Sequence, residues 1–450
     1  MNTNKKILLT VIFPLMFFCA SVQALAGIAE KSGWAPATEA ALNDLINKNS
    51  CVKGAYAVFD WDNTSVLGDV QETMLYYQIE RLAFKITPDE FKYALYHYAD
   101  PDSQRNCLIP DIELAKGFYN SQNQPVRFSA AAEDCYNDYK YLYGRYRKIN
   151  PAAKFNISLS ELKKTDEFLD FRAKLWFTYS ALYKTFPSQV AYTWIMFVTA
   201  QGYTEKEYKR MAQQGLDWGL KRDCKKVYFE SPASLPGKSG VINNRLINNY
   251  ITNAVKTQPE TGSLFGRLLK NKIDVYISTA SMQSLVEVIA ENPKYGYKLS
   301  KGHVLGLRLN KDKSGKFLPQ YDFSGGYAIN GNEGKTININ NLLASKFKAN
   351  PVMIAGDSDG DFYMMTELGG MNGAKIPNEY KPLQLVLIMN RLKKGNIGGL
   401  CKIAAEQLKT GAIEGVRIVL QGRNENTGKF IPTEKTILLG EPEENAALLP

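Results

Sequence analysis

Two stretches of the chain concentrate carboxylates in a way that can do chemistry. The first is Val58-Phe59-Asp60-Trp61-Asp62-Asn63-Thr64, an apolar run that ends in two acids one residue apart and then a hydroxyl. Residues i and i+2 of an extended segment share a side, so both carboxylates can aim into one site. One can bind a cation and attack an electrophile while the other handles protons. The second stretch is Gly356-Asp357-Ser358-Asp359-Gly360-Asp361, again directly after an apolar run. Acids at this density repel one another, and a divalent cation is the natural remedy. Oxygen ligands without Cys or His point to Mg²⁺. Neither stretch is an EF-hand loop. Its sixth and twelfth positions hold Ser65 and Gln71 in one case, Phe362 and Leu368 in the other, where that loop needs Gly and Glu. The only two His are His97 and His303, so a His-rich metal site is excluded and a Ser-His-Asp triad has little to draw on.

Such acids need strands to carry them. Four short apolar runs, residues 55–59, 275–277, 352–355 and 385–389, read as strands buried on both faces. Three of them lead into polar residues, Asp60, Ser278 and (after Gly356) Asp357, and then into a helical pattern. This rhythm predicts an α/β fold with a Rossmann-like doubly wound parallel sheet, whose ligands bind beyond the carboxyl ends of the strands. Between the first two runs lies a long stretch that reads as helices. Thr87-Pro88-Asp89-Glu90, Ser158 with Glu161, and Thr204 with Glu207 carry helix-start spacings. Residues 190–200 are apolar nearly all round, as in a buried helix. We read 69–255 as a large, mainly helical insert between a first part of the sheet domain, 27–68, and a second part, 256–450. Residues 304–309 predict a further strand, and 416–421 with 436–439 predict a C-terminal strand pair turned at 424–428.

The chain has 450 residues, too many for one ordinary domain of roughly 150. With 45% hydrophobic and 22% charged residues it is neither disordered, collagenous nor a coiled coil. Lys5 and Lys6, the apolar residues 7–22 and then Ala24-Leu25-Ala26 predict a signal peptide, residues 1–26, and a secreted or periplasmic mature protein. Its apolar run is shorter than the roughly 20 residues a membrane span needs. Losing the two lysines lowers the formal charge of +10 by two. The remaining basic residues are scattered, so we expect no nucleic-acid partner and no stable membrane insertion. Cys51, Cys107, Cys135, Cys224 and Cys401 would remain, an odd number that leaves at least one thiol free or paired between chains. Cys107 and Cys135 are the nearest pair for a disulfide, although spacing does not fix connectivity.

The combination resembles the haloacid dehalogenase-like (HAD) superfamily of phosphohydrolases. Asp60, Asp62 and Thr64 match its first motif, Asp-x-Asp-x-Thr. Ser278, or Thr279 in the alternative register, matches the Ser or Thr of the second. Lys335 matches the lysine of the third, with Lys346 and Lys348 as competitors, and Gly356, Asp357 and Asp361 match the acidic fourth. A P-loop reading of Gly334-Lys335-Thr336 fails because Ile329 stands where that loop needs Gly. The resemblance implies that Asp60 is a nucleophile forming an aspartyl-phosphate and that Asp62 is acid and then base. It implies that Ser278 and Lys335 hold the phosphoryl group. Mg²⁺ would be bound by Asp60, Asp357, Asp361 and the backbone carbonyl of Asp62. The insert is then a cap that closes over a small phosphomonoester.

One further likeness concerns the leaving group. Asp60-Trp61-Asp62-Asn63-Thr64-Ser65 followed by Glu72 is similar to the secreted phosphorylcholine phosphatases. This implies that Glu72 faces a quaternary ammonium, with Trp61, Tyr76 or Tyr77 as aromatic wall and Thr64 and Thr279 completing the substrate site. Gln71 departs from the pattern, since an acidic neighbour is expected there. Phosphoserine, a broad acid-phosphatase specificity and a metal-dependent binding protein without turnover are the alternatives. The oligomeric state is not legible.

Overall fold

A computed structural model describes residues 33–373, 375–377 and 380–450, and the signal-peptide reading of 1–26 lies outside them. Six strands form one parallel sheet: β1 (Tyr56–Phe59), β2 (Asp274–Met282), β3 (Val304–Leu307), β4 (Met353–Gly356), β5 (Leu385–Met389) and β6 (Arg417–Gln421). Their order is β6-β5-β4-β1-β2-β3. Ala57 of β1 lies opposite Met353 on one side and Val275 on the other. All of β1 is buried: Tyr56 and Val58 enter the core on one face, Ala57 and Phe59 on the other. That two-sided burial is why the strand reads as an unbroken apolar run. The architecture is mixed α/β with a Rossmann-like strand order. The order reverses between β1 and β4, so a crevice opens there, where Asp60 and Asp357 leave the sheet.

Helix α1 (Pro36–Asn49) precedes β1. Between β1 and β2 come α2 (Val70–Arg81), α3 (Pro88–Tyr96), α4 (Phe128–Tyr143), α5 (Asp166–Thr185), α6 (Ser188–Ala200), α7 (Glu205–Leu220) and α8 (Pro259–Lys270). After β2 follow α9 (Gln283–Ala290), α10 (Glu333–Asn338), α11 (Phe362–Glu367) and α12 (Asn396–Thr410). Thr87, Ser158 and Thr204 each close a reciprocal capping box with the Glu three residues on. Apolar α6 is buried on nearly every side, Trp194, Ile195 and Phe197 completely. The segment carrying α2 to α7 starts and ends at one place. Val66 pairs with Thr257 and Leu67 with Lys256, antiparallel. Gly68 turns away from that pair at φ +89, where a Cβ would meet the Ala254 carbonyl at 2.6 Å.

Three expectations are corrected. Residues 417–421 are a strand, but it is the edge strand β6 of the main sheet rather than half of a pair with 436–439. The crossover through α12 lets it continue the parallel sheet beside β5. A hairpin forms instead between Arg423–Asn424 and Lys429–Phe430, while Thr436 and Ile437 make only single bridges, to Ala447 and Asn424. The strand expected at 304–309 breaks at Arg308, and Leu309–Lys311 pairs with Phe317–Tyr321 in a separate hairpin. Cys107 and Cys135 are free thiols like Cys51, Cys224 and Cys401. Cys135 is completely buried on α4. No helix among the described residues is long and apolar enough to cross a membrane.

Candidate active site

Asp60 is the first residue past β1, and its N–H still donates to the Ala355 carbonyl of β4 at 2.9 Å. A tight turn follows. The N–H groups of Thr64, Ser65 and Val66 all return to the Trp61 carbonyl, with Asn63 at φ +58. The turn points the Thr64 hydroxyl back at Asp60 Oδ2, 3.0 Å away, with Asp357 Oδ1 at 3.4 Å. Thr64 is therefore completely buried and spent on these carboxylates, not turned to a substrate as the sequence suggested.

Lys335, on the first turn of α10, reaches the same carboxylates from the other side. Its ammonium donates to Asp60 Oδ1 at 2.6 Å and to Asp361 Oδ1 at 2.7 Å. The other oxygen of Asp361 accepts the N–H groups of Asp357 and Ser358 at 3.0 and 3.1 Å, which shapes the turn after β4. Lys346 lies elsewhere, on the Tyr276 hydroxyl. Asp60, Asp357 and Asp361 are buried and offer oxygens within 4.8 Å of one another. Three carboxylates without Cys or His suit a hard divalent cation, so the residues fit such a group. Burial and then Asp361 push the Asp60 carboxyl well above the usual range, and Lys335 opposes them. The Asp60 carboxyl is thus set by the opposed pulls of Asp361 and Lys335. Burial alone would lower the Lys335 ammonium, but Asp361 and Asp60 more than offset this and hold it high.

Asp62 shares the chamber without joining the acid triad. Its Oδ1 accepts the Val70 N–H at the start of α2, 2.7 Å away. Its Oδ2 accepts the Ser281 hydroxyl at 2.6 Å and the Thr279 hydroxyl at 3.3 Å. Its carboxylate is therefore held away from a cation site. Burial, with Asp69 next, pushes its carboxyl well up against the Ser281 and Val70 hydrogen bonds. A buried carboxyl whose proton is held more tightly than usual, two residues from Asp60, is suited to proton exchange.

The side-by-side residues of β2 separate here. Thr279 comes to Asp62, whereas the Ser278 hydroxyl accepts from Asn330 Nδ2 at 3.2 Å. Of the two, then, Thr279 touches a site acid while the Ser278 hydroxyl is engaged by Asn330. Trp61 is placed differently from the wall the sequence suggested. It lies between two site acids, but its indole is fully buried and packs edge-on to Tyr297, ring centroids 4.9 Å apart. Tyr76 and Tyr77 pack against Trp218, at 5.0 and 5.8 Å.

The aromatic side of the site comes from the insert instead. Asp60, Asp62, Lys335 and Asp357 line a chamber of about 70 Å³ together with Asp69, Tyr183, Tyr192 and Lys393. Beside it, Tyr179 of α5 donates to Glu72 Oε1 at 3.2 Å. The Tyr183 and Tyr192 rings lie 5.8 Å apart. Burial, opposed mainly by the Tyr179 hydrogen bond, lifts the Glu72 carboxyl to about 7. Burial and then Glu72 lift Asp69, which caps α2, to about 8. On the far side Arg391, just past β5, donates to Asp357 Oδ2 at 2.8 Å. Burial alone would raise Asp357, but Lys393 and Arg391 hold it below its usual range. Sequence reading missed Tyr179, Tyr183, Tyr192, Arg391 and Lys393. The one available signal was the four-residue spacing of Tyr179 and Tyr183, which puts them on one helix face.

A scan against models of known protein families matches none of them. Among solved structures, the chain is similar to a conserved, functionally unknown protein from Anaerococcus prevotii, with TM-score 0.75 and 28% identity, covering 91% of this chain and 98% of that one. Among curated proteins, it is 23% identical over 301 residues to a phosphorylcholine phosphatase of Pseudomonas aeruginosa, a match that covers 65% of this chain and 62% of that relative's length.

Proposed function

We propose that the chain is a phosphomonoesterase of the HAD type, working through a phosphorylated aspartate. Its substrate in this reading is a small phosphomonoester with a cationic leaving group, phosphorylcholine first among the candidates. The observation that carries the reading is the setting of Asp60. It stands at the strand-order reversal, bonded to Lys335, beside Asp357, with Asp62 held two residues on. The similarity to a phosphorylcholine phosphatase supports the same reaction class.

The steps balance on this chain's own residues. A carboxylate oxygen of Asp60 attacks phosphorus, and the bond from phosphorus to the leaving oxygen breaks. Asp62, protonated, gives its proton to that oxygen. The alcohol leaves, Asp62 takes a proton from an entering water, and the water oxygen attacks the aspartyl-phosphate. The P–O bond to Asp60 breaks, which releases inorganic phosphate and restores both acids. Lys335 holds Asp60 and the phosphoryl group together as a fixed charge. Thr279, on the Asp62 side of β2, takes the role expected of the second motif. Asp60, Asp357 and Asp361 would hold Mg²⁺, whose charge, when bound, lets an anionic phosphate approach a carboxylate nucleophile.

Residues 69–255 act in this reading as a cap on the sheet domain of 27–68 and 256–450, and residues 1–26 direct export. Glu72 and Asp69 supply negative charge for the leaving group, and Tyr179, Tyr183 and Tyr192 supply aromatic faces. Lys393, in the same chamber, favours as second reading a leaving group that also carries an anion, such as that of phosphoserine. The test is phosphate release with and without Mg²⁺ from phosphorylcholine, phosphoserine and an aryl phosphate, with Asp60→Asn as control. Mg²⁺-dependent release that the control loses is expected. Release from none of the three, or undiminished release by the control, would overturn the proposal.

A further inference from the structure

Asp357 is gripped from outside the acid triad. Arg391 Nη1 holds its Oδ2 at 2.8 Å, while its Oδ1 lies near Thr64. Arg391 is itself shared: its Nε donates to Glu425 Oε1 at 3.4 Å. Glu425 belongs to the hairpin beyond β6, and its second oxygen accepts the Leu439 N–H at 3.2 Å. Its first oxygen also lies 3.7 Å from Arg423 Nη2. Arg423 is completely buried, and its Nη1 donates to the Asn63 carbonyl at 2.8 Å, in the turn that carries Asp60 and Asp62. Asp357, Arg391, Glu425 and Arg423 therefore form an ionic arch. It runs from the end of β4 through the C-terminal hairpin and lands on the turn after β1. Asp357 is 4% exposed, Glu425 12% and Arg391 22%, so the charges are weakly screened.

We propose that Arg391 is a positioning residue for the cation-binding carboxylate of Asp357, and that Glu425 sets how strongly it grips. The inference rests on the reading of the acid triad as a divalent-cation site. Arg391 is a fixed positive charge that competes with an incoming cation for one carboxylate. Glu425 draws the guanidinium toward itself and so relaxes that competition. The two residues should therefore act on cation affinity with opposite sign, which a scaffold role for either would not produce.

The experiment is Mg²⁺ titration of the full chain by calorimetry, with circular dichroism to establish folding. Arg391→Gln is expected to bind Mg²⁺ about tenfold more tightly, and Glu425→Gln about tenfold more weakly. Arg391→Lys, which keeps the charge, stays within about threefold of the unmodified chain. If Arg391→Gln fails to fold, the Glu425→Gln and Arg391→Lys arms decide alone. Changes of the same sign in both Gln variants, or none in Glu425→Gln, overturn the inference, as does an unmodified chain that binds no Mg²⁺. A chain that shows the opposed affinities yet releases no phosphate would sink the phosphatase reading and leave this one standing.

Discussion

Replacing Lys335 by Met should convert the acid triad into a pH-dependent fault. The ammonium sits 2.6 Å from Asp60 and 2.7 Å from Asp361, and its side chain is 3% exposed. Removing one partner from a buried ion pair costs about 3–5 kcal/mol, because the charge left behind has neither water nor a counter-ion. The carboxylates can avoid that cost by taking up a proton. Burial and Asp361 already push Asp60 well above the usual range against the pull of Lys335, so the variant's Asp60 lies higher still. An acid with a raised folded-state pKa favours folding only while protonated. The stability is present below the unfolded value near 4 and is lost as pH climbs toward the folded value, at about 1.4 kcal/mol per unit. Lys335→Met should therefore be about 1 kcal/mol less stable than the unmodified chain at pH 4.5 and about 3–5 kcal/mol less stable at pH 8. Guanidinium unfolding followed by circular dichroism, in chelator at both pH values, measures the difference. Adding Asp361→Asn should recover most of the loss at pH 8. An equal deficit at the two pH values, or no recovery in the double variant, would refute the electrostatic argument.

Three further outcomes follow from the geometry. If phosphorylcholine is turned over, its KM should fall as pH rises through about 7, where Glu72 becomes a carboxylate. Tyr179→Phe should raise that KM roughly three- to tenfold at pH 7 by removing the hydrogen bond that favours the ionised form, with the gap closing above pH 9. A KM shift that is the same at every pH would count against it. Thr279→Val should lower kcat/KM by about tenfold or more by freeing Asp62, whereas Ser278→Ala should cost about 1 kcal/mol of stability and less than about twofold in turnover. Steady-state kinetics with the reverse ranking would restore Ser278 to the site. In Gly356→Ala, the added Cβ would lie 2.6 Å from Asp361 Cγ. Such overpacking costs about 1–3 kcal/mol and should weaken Mg²⁺ binding about tenfold, and calorimetry showing unchanged affinity would refute it.

What could be read from sequence was local. Asp60 and Asp357 were visible because each ends a run of residues buried on both faces, and such runs announce parallel strands. The helix starts at Thr87, Ser158 and Thr204 were visible because a capping box spans four residues. The Ser278 and Thr279 ambiguity was a matter of one residue. An apolar run does not say which of its two faces a neighbouring strand will point at the crevice, and one step swaps them. Arg391, Glu425 and Arg423 carried no signal at all. Each is an ordinary charged residue in sequence, and only the placement of β5 beside β4, with β6 next to β5, brings them to Asp357. The C-terminal pair was misread because residues 416–421 are apolar enough for either a hairpin or an edge strand, and the crossover helix decided.

The pairing of Val66 and Leu67 with Thr257 and Lys256 has a consequence for divergence. The polypeptide departs from the sheet and returns to it through adjacent threads, about 4.8 Å apart in the hydrogen-bonding direction. Whatever is strung between those threads can be lengthened, shortened or exchanged without shifting β1 against β2, and the entropic cost of a longer excursion grows only with the logarithm of its length. The doorway works as a socket. Selection can change the aromatic and acidic residues that α2, α5 and α6 bring to the chamber while Asp60, Lys335 and Asp357 stay where they are. In the phosphatase proposed above, specificity and reactivity would thereby be written on separate lengths of one chain.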